Sequence, residues 1–281
     1  MKLTECPRDA MQGLAHFVPT EQKICYLNAL LQVGFDTLDF GSFVSPKAIP
    51  QMRDTAEVLA GLNLTNTKTK LLAIVANTRG AEQAVGYPSI QYVGFPLSVS
   101  ETFQQRNTNK SIAQAFAEVR EMQNLCAETG KELVVYLSMG FGNPYSDAYS
   151  PELVEQFAER LTTLGVRIIA PSDTVGSSTP EAIESLFRHL IQTFPQVEFG
   201  AHLHARPGEA PDKVRAALQA GVRRLDGAIR GFGGCPMAAD ALTGNLPTEA
   251  IIQTLADENM AINLNQDAFQ KAMALSAGVF L

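Results

Sequence analysis

The chain lacks the features that mark membrane proteins, nucleic-acid-binding proteins and disulfide-rich secreted proteins. No apolar run approaches the roughly 20 residues that span a bilayer, and the stretch from Met1 to Pro7 has no apolar signal core. No basic run is present, and 22 basic against 29 acidic residues give a net charge of −7. Nucleic acid and anionic membranes are therefore poor partners. The four cysteines form no CxxC motif, which favours free thiols. These absences predict a cytoplasmic protein.

The chain does have the length and the apolar content for a large core, with 281 residues of which 46% are hydrophobic. A helical run, a glycine and a short, mostly apolar strand follow one another repeatedly, with the glycines at Gly34, Gly130, Gly165 and Gly221. Glycine just past a helix end adopts the left-handed conformation without a Cβ penalty. Apolar strands are typical of a parallel sheet buried on both faces.

Eight βα units follow from this pattern. We predict strands near 2–5, 35–40, 70–75, 89–95, 132–138, 166–170, 197–204 and 223–228, and helices near 20–33, 50–60, 79–85, 111–128, 151–164, 179–193, 210–220 and 248–258. Eight units in about 250 residues predict an α/β fold, a (β/α)8 TIM barrel with an extra C-terminal helix over 266–281. One catalytic domain would span residues 1–281. A doubly wound open sheet is the alternative, but no G-x-G-x-x-G follows the first strand.

Two of the four histidines lie two residues apart, at His202 and His204, at the end of an apolar run. Residues with this spacing on a strand point to the same face, so both imidazoles can converge on one metal ion. A strand that merely carries two hydrogen-bonded histidines is the alternative. This segment alone does not decide between the two.

Polar side chains follow nearly every predicted strand. They are Arg8 and Asp9 after the first strand, Asp39 and Ser42 after the second, Asn107 in a loop after the fourth, Ser138 after the fifth, Asp173 after the sixth, and Arg230 and Cys235 after the eighth. TIM barrels hold their active sites at the carboxyl ends of the strands. The set therefore predicts an enzyme.

Five segments, in order along the chain, resemble the 3-hydroxy-3-methylglutaryl-CoA (HMG-CoA) lyases of the DRE-TIM metallolyase superfamily. They are residues 7–12 (PRDAMQ), 42–47 (SFVSPK), 173–176 (DTVG), 202–204 (HLH) and 231–236 (GFGGCP). The resemblance extends from about residue 3 to about residue 265. The second and fifth segments together are strongly specific to the lyase branch.

The resemblance implies a metal site formed by Asp9, His202, His204 and Asn245. One carboxylate, two imidazoles and an amide oxygen, with positions left for substrate oxygens, suit Mg²⁺ or Mn²⁺ better than Zn²⁺. Taken alone, Asp9 could instead be a helix N-cap and Asn245 a turn residue.

The reaction that the resemblance implies is retro-Claisen cleavage of HMG-CoA to acetyl-CoA and acetoacetate. Arg8 would stabilise the thioester enolate, because guanidinium stays charged, and Cys235 in the glycine-rich loop would protonate it. Asp39 and Asp173 would support the metal site or act as general bases, and His202 would take part in proton transfer. The acyl-CoA substrate would contact Arg8, Gln12, Ser42, Asn107 and Ser138. A homo-oligomer is possible. The glycine-rich loop has a second interpretation as a phosphate site, although it lacks the lysine and hydroxyl of a P-loop.

The sequence departs from the family pattern at several positions. Ala205 and Arg206 follow the second histidine in place of the usual aspartate, Asp39 replaces a glutamate, Val134 an arginine and Ala170 a serine, and the loop beyond Cys235 is about one residue longer. Such changes around a metal can alter affinity or activity 10–100-fold. Three alternatives stay open: a related lyase or aldolase on another 3-hydroxyacyl-CoA or 2-oxo acid, a condensing acyltransferase of the same superfamily, and a barrel that binds without turnover.

Overall fold

Eight parallel strands form a closed barrel in the computed structural model, which describes residues 1–234, 243–260 and 262–281. The strands are β1 (Lys2–Glu5), β2 (Thr37–Ser42), β3 (Lys70–Ile74), β4 (Ile90–Ser98), β5 (Glu132–Ser138), β6 (Ile168–Asp173), β7 (Glu198–Ala205) and β8 (Arg224–Gly227). Each pairs with its neighbours in sequence, and β8 pairs with β1, which closes the ring. The predicted TIM barrel is confirmed.

Helices surround the barrel. They are α1 (Pro7–Gln12), α2 (Thr20–Leu31), α3 (Thr55–Ala60), α4 (Thr78–Val85), α5 (Glu101–Thr108), α6 (Ile112–Thr129), α7 (Pro151–Thr163), α8 (Pro180–Thr193), α9 (Ala210–Gln219), α10 (Thr248–Asp257) and α11 (Gln266–Phe280). The predicted C-terminal helix is α11, which packs on α2 through the edge-to-face rings of Tyr26 and Phe280. Among the helices of the described ranges, none is both long and apolar enough to cross a bilayer.

The repeated glycines end helices as predicted. All four have positive φ, and Gly130 (φ 68°) is the left-handed C-cap of α6. The strands β2 and β6 begin and end two or three residues later than predicted. Ser42 and Asp173 are therefore the last residues of their strands, at the carboxyl end of the barrel.

Two helices were not predicted. The segment from Arg106 to Asn109 was expected in a loop, and this is wrong, because α5 covers residues up to Thr108. Ser100 Oγ accepts a bond from Phe103 N (3.1 Å) at its start, and Asn109 (φ 56°) ends it. Since only Phe103 and Gln104 of α5 are buried, the helix has almost no apolar stripe that a sequence pattern could show.

The other unpredicted helix, α1, follows β1 after a single residue. Pro7 is its first residue, where a missing N–H costs nothing. Cys6 is the N-cap, so the interpretation of Asp9 as an N-cap is wrong. The early start of α1 places Arg8 and Asp9 beside the carboxyl ends of the strands, where both are buried.

The barrel has its own small apolar cluster, separate from the large core between strands and helices. Leu72, Ile74, Tyr92, Val134 and Ile168, from β3 to β6, form it. Val134, which stands where the family has an arginine, is only 1% exposed within this cluster. The barrel interior at β5 is therefore filled by packing rather than by charge.

Charged side chains close the amino-terminal end of the barrel. Arg224 is 2% exposed, and its Nε donates to Glu198 Oε1 (2.7 Å). Lys2 Nζ donates to the other oxygen of the same carboxylate (2.5 Å). Gly200 makes room for Arg224, since a Cβ there would lie 2.9 Å from Arg224 Cδ. This end of the barrel is sealed by ion pairs.

Candidate active site

The guanidinium of Arg8 organises the carboxyl end of the barrel. Its Nε and Nη2 donate to the carboxylate of Asp39 at 3.0 and 2.5 Å, in a two-pronged ion pair. Its Nη1 donates to Asp9 Oδ1 (3.1 Å) and to Gln12 Oε1 (2.9 Å). One side chain of α1 thus fixes two carboxylates and an amide.

Asp9 is held on both of its oxygens. Oδ1 accepts from Arg8 and from Gln12 Nε2 (2.9 Å), while Oδ2 accepts from Asn245 Nδ2 (2.7 Å). Burial alone would raise the pKa of Asp9, but Arg8, the two neighbouring histidines and the Asn245 amide lower it below its ordinary value. Asp9 is therefore an ionised carboxylate in the interior of the protein.

His202 points into the barrel from β7. Its Nδ1 lies 3.1 Å from Asp226 Oδ2, and its ring meets the Tyr136 ring edge-on at 5.4 Å. Burial would lower the pKa of His202, but Asp226 and Asp9 raise it above its ordinary value. The contact with Asp226 orients the ring and leaves Nε2 on the opposite side.

His204 presents an unpaired nitrogen. Its Nδ1 lies 3.0 Å from the carbonyl oxygen of Thr174, and Nε2 is buried without a hydrogen-bond partner. Burial and the nearby His202 lower the pKa of His204 to about 4, so the ring is neutral near pH 7. Because a carbonyl only accepts, Nδ1 carries the proton and Nε2 carries a lone pair. A buried lone pair without a partner calls for a cation or a proton donor.

A two-residue strand, β9 (Gly244–Asn245), brings the last predicted ligand to the site. It pairs antiparallel with β7, and Asn245 lies directly opposite His204. The amide nitrogen of Asn245 donates to Asp9 Oδ2 and to Phe232 O (2.9 Å). With both amide hydrogens used, Oδ1 is the atom left to bind a ligand.

Among the described residues, two groups of side chains at this end could hold a metal ion. Asp9, His202 and His204 form one, Cys6, His202 and Asp226 the other, and in each group the ligand atoms lie within 4.8 Å of one another. Two of the buried carboxylates here, those of Asp9 and Asp39, share the guanidinium of Arg8, while a third, that of Asp226, lies against His202. Such an excess of negative charge fits a divalent cation.

Asp39 combines deep burial with a strong partner. It is 1% exposed, and burial raises its pKa to about 6, although the Arg8 charge and hydrogen bonds oppose the rise. Asp39 stands where the family pattern has a glutamate. Its shorter side chain still reaches the Arg8 guanidinium.

Asp173 belongs to a different set of contacts. Its oxygens accept from the backbone N–H groups of Ser177 (2.9 Å) and Ser178 (3.0 Å), from the Ser178 hydroxyl (2.5 Å) and from Lys213 Nζ (2.9 Å). Four donors on one carboxylate favour a supporting role over the predicted general base.

The remaining predicted residues that the structure describes form no hydrogen bond with the Arg8–Asp9 group. Ser42 and Ser138 end β2 and β5 and are buried. Asn107 lies on α5 and is exposed. Cys235 lies outside the described residues, so its predicted role stays a prediction.

Sequence reasoning missed three residues that the site uses. Asp226 is a buried aspartate near the carboxyl end of β8, a position that could have marked it. Cys6 stands at the end of β1, beside the residues already singled out. Thr174 contributes a backbone carbonyl, for which its side chain gives no signal.

Comparison with known proteins agrees with this geometry. The HMGL-like family model matches residues 3–276. The chain belongs to the HMGL-like family. The mitochondrial hydroxymethylglutaryl-CoA lyase of Bos taurus is 33% identical over 275 residues, covering 98% of this chain and 82% of the relative. The hydroxymethylglutaryl-CoA lyase YngG of Bacillus subtilis is 32% identical over 266 residues, covering 95% of this chain and 88% of the relative.

Solved structures of HMGL-like enzymes have the same fold. An HMG-CoA lyase from Brucella melitensis superposes with a TM-score of 0.92 at 29% identity, covering 99% of this chain and 98% of that chain. One from Acinetobacter baumannii, solved with coenzyme A and 3-methylmalate, gives 0.90 at 29% identity, covering 99% and 90%. The membership of this chain in a lyase family confirms the resemblance found in its motifs.

Proposed function

We propose that this HMGL-like protein is a metal-dependent carbon–carbon lyase that cleaves HMG-CoA to acetyl-CoA and acetoacetate. The observation that carries the proposal is the convergence of Asp9, His202, His204 and Asn245 at the carboxyl end of the barrel, with His204 Nε2 buried and unpaired. The relatives named as HMG-CoA lyases support the choice of substrate.

We assign the metal to Asp9, His202, His204 and the Asn245 amide oxygen. The hydrogen bond between His202 and Asp226 then serves as the outer contact that orients a ligand ring, rather than as part of a second site. Carboxylate, amide and imidazole donors favour Mg²⁺ or Mn²⁺ over Zn²⁺. When bound, the cation polarises the substrate oxygens and lowers the pKa of the tertiary hydroxyl.

The side chains of this protein divide the remaining chemistry. The substrate hydroxyl gives up its proton, for which Asp39 is the candidate acceptor beside Arg8, because Asp226 and the proposed metal engage both ring nitrogens of His202. The bond between C2 and C3 then breaks, and its electron pair forms the thioester enolate while the other fragment becomes the ketone. Arg8 stabilises the developing negative charge, because its guanidinium is fixed before the reaction by Asp39 and Gln12. A proton from Cys235 completes acetyl-CoA.

The substrate contacts are proposed at Gln12, Ser42, Asn107 and Ser138. Gln12 has the strongest support, because it is bonded to both Arg8 and Asp9. We also propose a cytoplasmic enzyme whose residues 1–281 form one catalytic domain, with acyl-CoA as the partner. We further propose a homo-oligomer, which light scattering would detect as a molar mass above that of one chain.

One assay tests the function. Purified protein with Mg²⁺ or Mn²⁺ is given HMG-CoA and a panel of other 3-hydroxyacyl-CoA thioesters, and free acetyl-CoA is measured. HMG-CoA should be cleaved, and Asp9→Asn should abolish both cleavage and cation binding, measured by calorimetry. Cleavage of another panel member alone would change the substrate. An inactive wild-type protein that binds no cation would refute the lyase.

A further inference from the structure

Lys213, on α9, is a buried lysine that the proposed reaction does not use. It is 3% exposed, and its ammonium donates to His204 O (2.8 Å), Asp173 Oδ2 (2.9 Å) and Gly176 O (3.1 Å). Glu209 Oε2 lies farther away, at 4.0 Å. An ammonium has three N–H groups, and all three are engaged. Lys213 therefore has no hydrogen free for a substrate.

These bonds form a closed ring around His204. Asp173, held by Lys213, is followed in the chain by Thr174, whose carbonyl oxygen lies 3.0 Å from His204 Nδ1. The carbonyl of His204 itself accepts from the same ammonium. Lys213 thus ties the backbone of His204 to the loop that contacts its ring.

The loop after β6 depends on the same carboxylate. Asp173 accepts from the backbone N–H groups of Ser177 and Ser178, which folds residues 173–178 into a tight turn. The Thr174 hydroxyl accepts from Met139 N (2.8 Å), which joins the turn to the end of β5. Without Lys213, Asp173 would be a buried carboxylate with no cation, and the turn would have to rearrange.

We propose that Lys213 is a positioning residue that keeps His204 in the tautomer with its proton on Nδ1 and its lone pair on Nε2. Through Asp173 it holds the Thr174 carbonyl against Nδ1, and through the His204 carbonyl it fixes the strand that bears the ring. The inference rests on the proposed function insofar as the Nε2 lone pair binds the metal. The contacts that fix the tautomer are all within the protein, so the tautomer can be measured without metal.

The test compares two lysines of the same kind. Lys23, on α2, is also buried (2% exposed), pairs with Asp54 (2.6 Å) and donates to the backbone carbonyl of Gln51. Lys213→Met should weaken Mn²⁺ binding, measured by calorimetry, by at least about tenfold. Lys23→Met removes an equivalent buried ion pair and should leave Mn²⁺ affinity within about twofold of wild type.

A second readout uses metal-free protein. Nitrogen NMR of the histidine rings, of which the chain has four, should show His204 protonated on Nδ1 in wild type and in Lys23→Met. Lys213→Met should lose that signature. Unchanged Mn²⁺ affinity with an unchanged tautomer in Lys213→Met would overturn the inference, and so would equal weakening in both lysine variants.

A double variant covers the case in which Lys213→Met does not fold. Asp173→Asn with Lys213→Met removes the uncompensated charge and should recover stability, but not Mn²⁺ affinity or the tautomer. Wild-type Mn²⁺ affinity in the double variant would overturn the positioning role. If wild-type protein binds no Mn²⁺, the proposed function fails. The tautomer measurement still tests whether Lys213 keeps the His204 proton on Nδ1.

Discussion

The two ends of the barrel both carry buried charges, but they neutralise them differently. At the amino-terminal end, the carboxylate of Glu198 accepts from both Lys2 and Arg224. Two cations therefore surround this one anion. At the carboxyl end, the buried carboxylates of Asp9 and Asp39 share the guanidinium of Arg8, and that of Asp226 lies against His202. One end is closed by ion pairs. At the other, two buried carboxylates share one guanidinium.

This difference separates structural charge from functional charge. Both ends obey the rule that a buried charge needs a partner. The amino-terminal end satisfies the rule within the protein, so its residues should govern stability alone. In the proposed function a cation completes the balance at the carboxyl end, so its residues should govern metal affinity and turnover. Variants at the two ends test this division.

Arg8→Lys should have the largest effect. Lysine keeps the charge but not the planar fork that grips Asp39 and reaches Asp9 and Gln12. We expect turnover to fall about 10²–10³-fold. Mn²⁺ affinity should change much less, because Gln12 and Asn245 still hold Asp9. Steady-state kinetics and calorimetry on the same preparation would check both. A parallel loss of Mn²⁺ affinity would mean that Arg8 serves Asp9 rather than the substrate.

Asp226→Asn should have an intermediate effect. It removes the charge that orients His202 through Nδ1, so Mn²⁺ affinity and turnover should each fall about 10–100-fold. Asp36→Asn is the matched control, since Asp36 bonds to Thr37 at the opposite end of the barrel. The two variants are compared by calorimetry and by acetyl-CoA release. Equal effects from both would contradict the division between the ends.

The architecture could be predicted because it follows from local patterns. Glycines such as Gly130 end helices in a conformation that other residues rarely adopt, and apolar strands follow them. Alternation along β7 correctly placed His202 and His204 on one face. The helix α5 could not be predicted, since only Phe103 and Gln104 give it a buried side. The side chain of Ser100 caps its first turn.

The contacts that complete the site lie beyond sequence reasoning for a physical reason. Lys213 and Asp173 are 40 residues apart, and nothing in either segment indicates the other. The bond from Lys213 to the His204 carbonyl, and that from His204 to the Thr174 carbonyl, use backbone atoms that every residue has. The proposed metal ligands were inferred from the family resemblance, not from spacing alone.

Glu198→Gln should affect stability without affecting chemistry. Arg224 would keep a hydrogen-bond acceptor but lose its charged partner, and Glu198 is partly exposed, so the cost should be about 1–3 kcal/mol. Chemical denaturation would measure the loss of unfolding free energy. Mn²⁺ affinity and turnover at a permissive temperature should match wild type. A tenfold loss of Mn²⁺ affinity would show that the two ends are coupled.

Glu5→Gln should have the smallest effect, which is a change in how thermal stability depends on pH. Glu5 is buried outside the barrel interior, where its oxygens accept from Ile229 N (2.9 Å) and the Thr248 hydroxyl (2.5 Å). Burial raises its pKa from 4.5 to about 8, against the opposing hydrogen bonds. A lone carboxyl is thus neutralised by a proton, neither by an ion pair nor by a metal.

The sign of the effect follows from proton binding. Between pH 4.5 and about 8 the folded protein retains a proton on Glu5 that the unfolded chain has released, so this contribution to stability declines as pH rises through that range. Glutamine does not titrate. Calorimetric melting of metal-free protein should therefore show a shallower fall in Tm with pH for Glu5→Gln than for wild type. Glu249→Gln, at the neighbouring carboxylate that accepts from Arg230 N, should keep most of the wild-type slope. Parallel curves for wild type and Glu5→Gln would mean that Glu5 is ionised in the folded protein. Glu5 would then be a buried anion, in addition to those at the two ends of the barrel, and a cationic partner for it would have to be found.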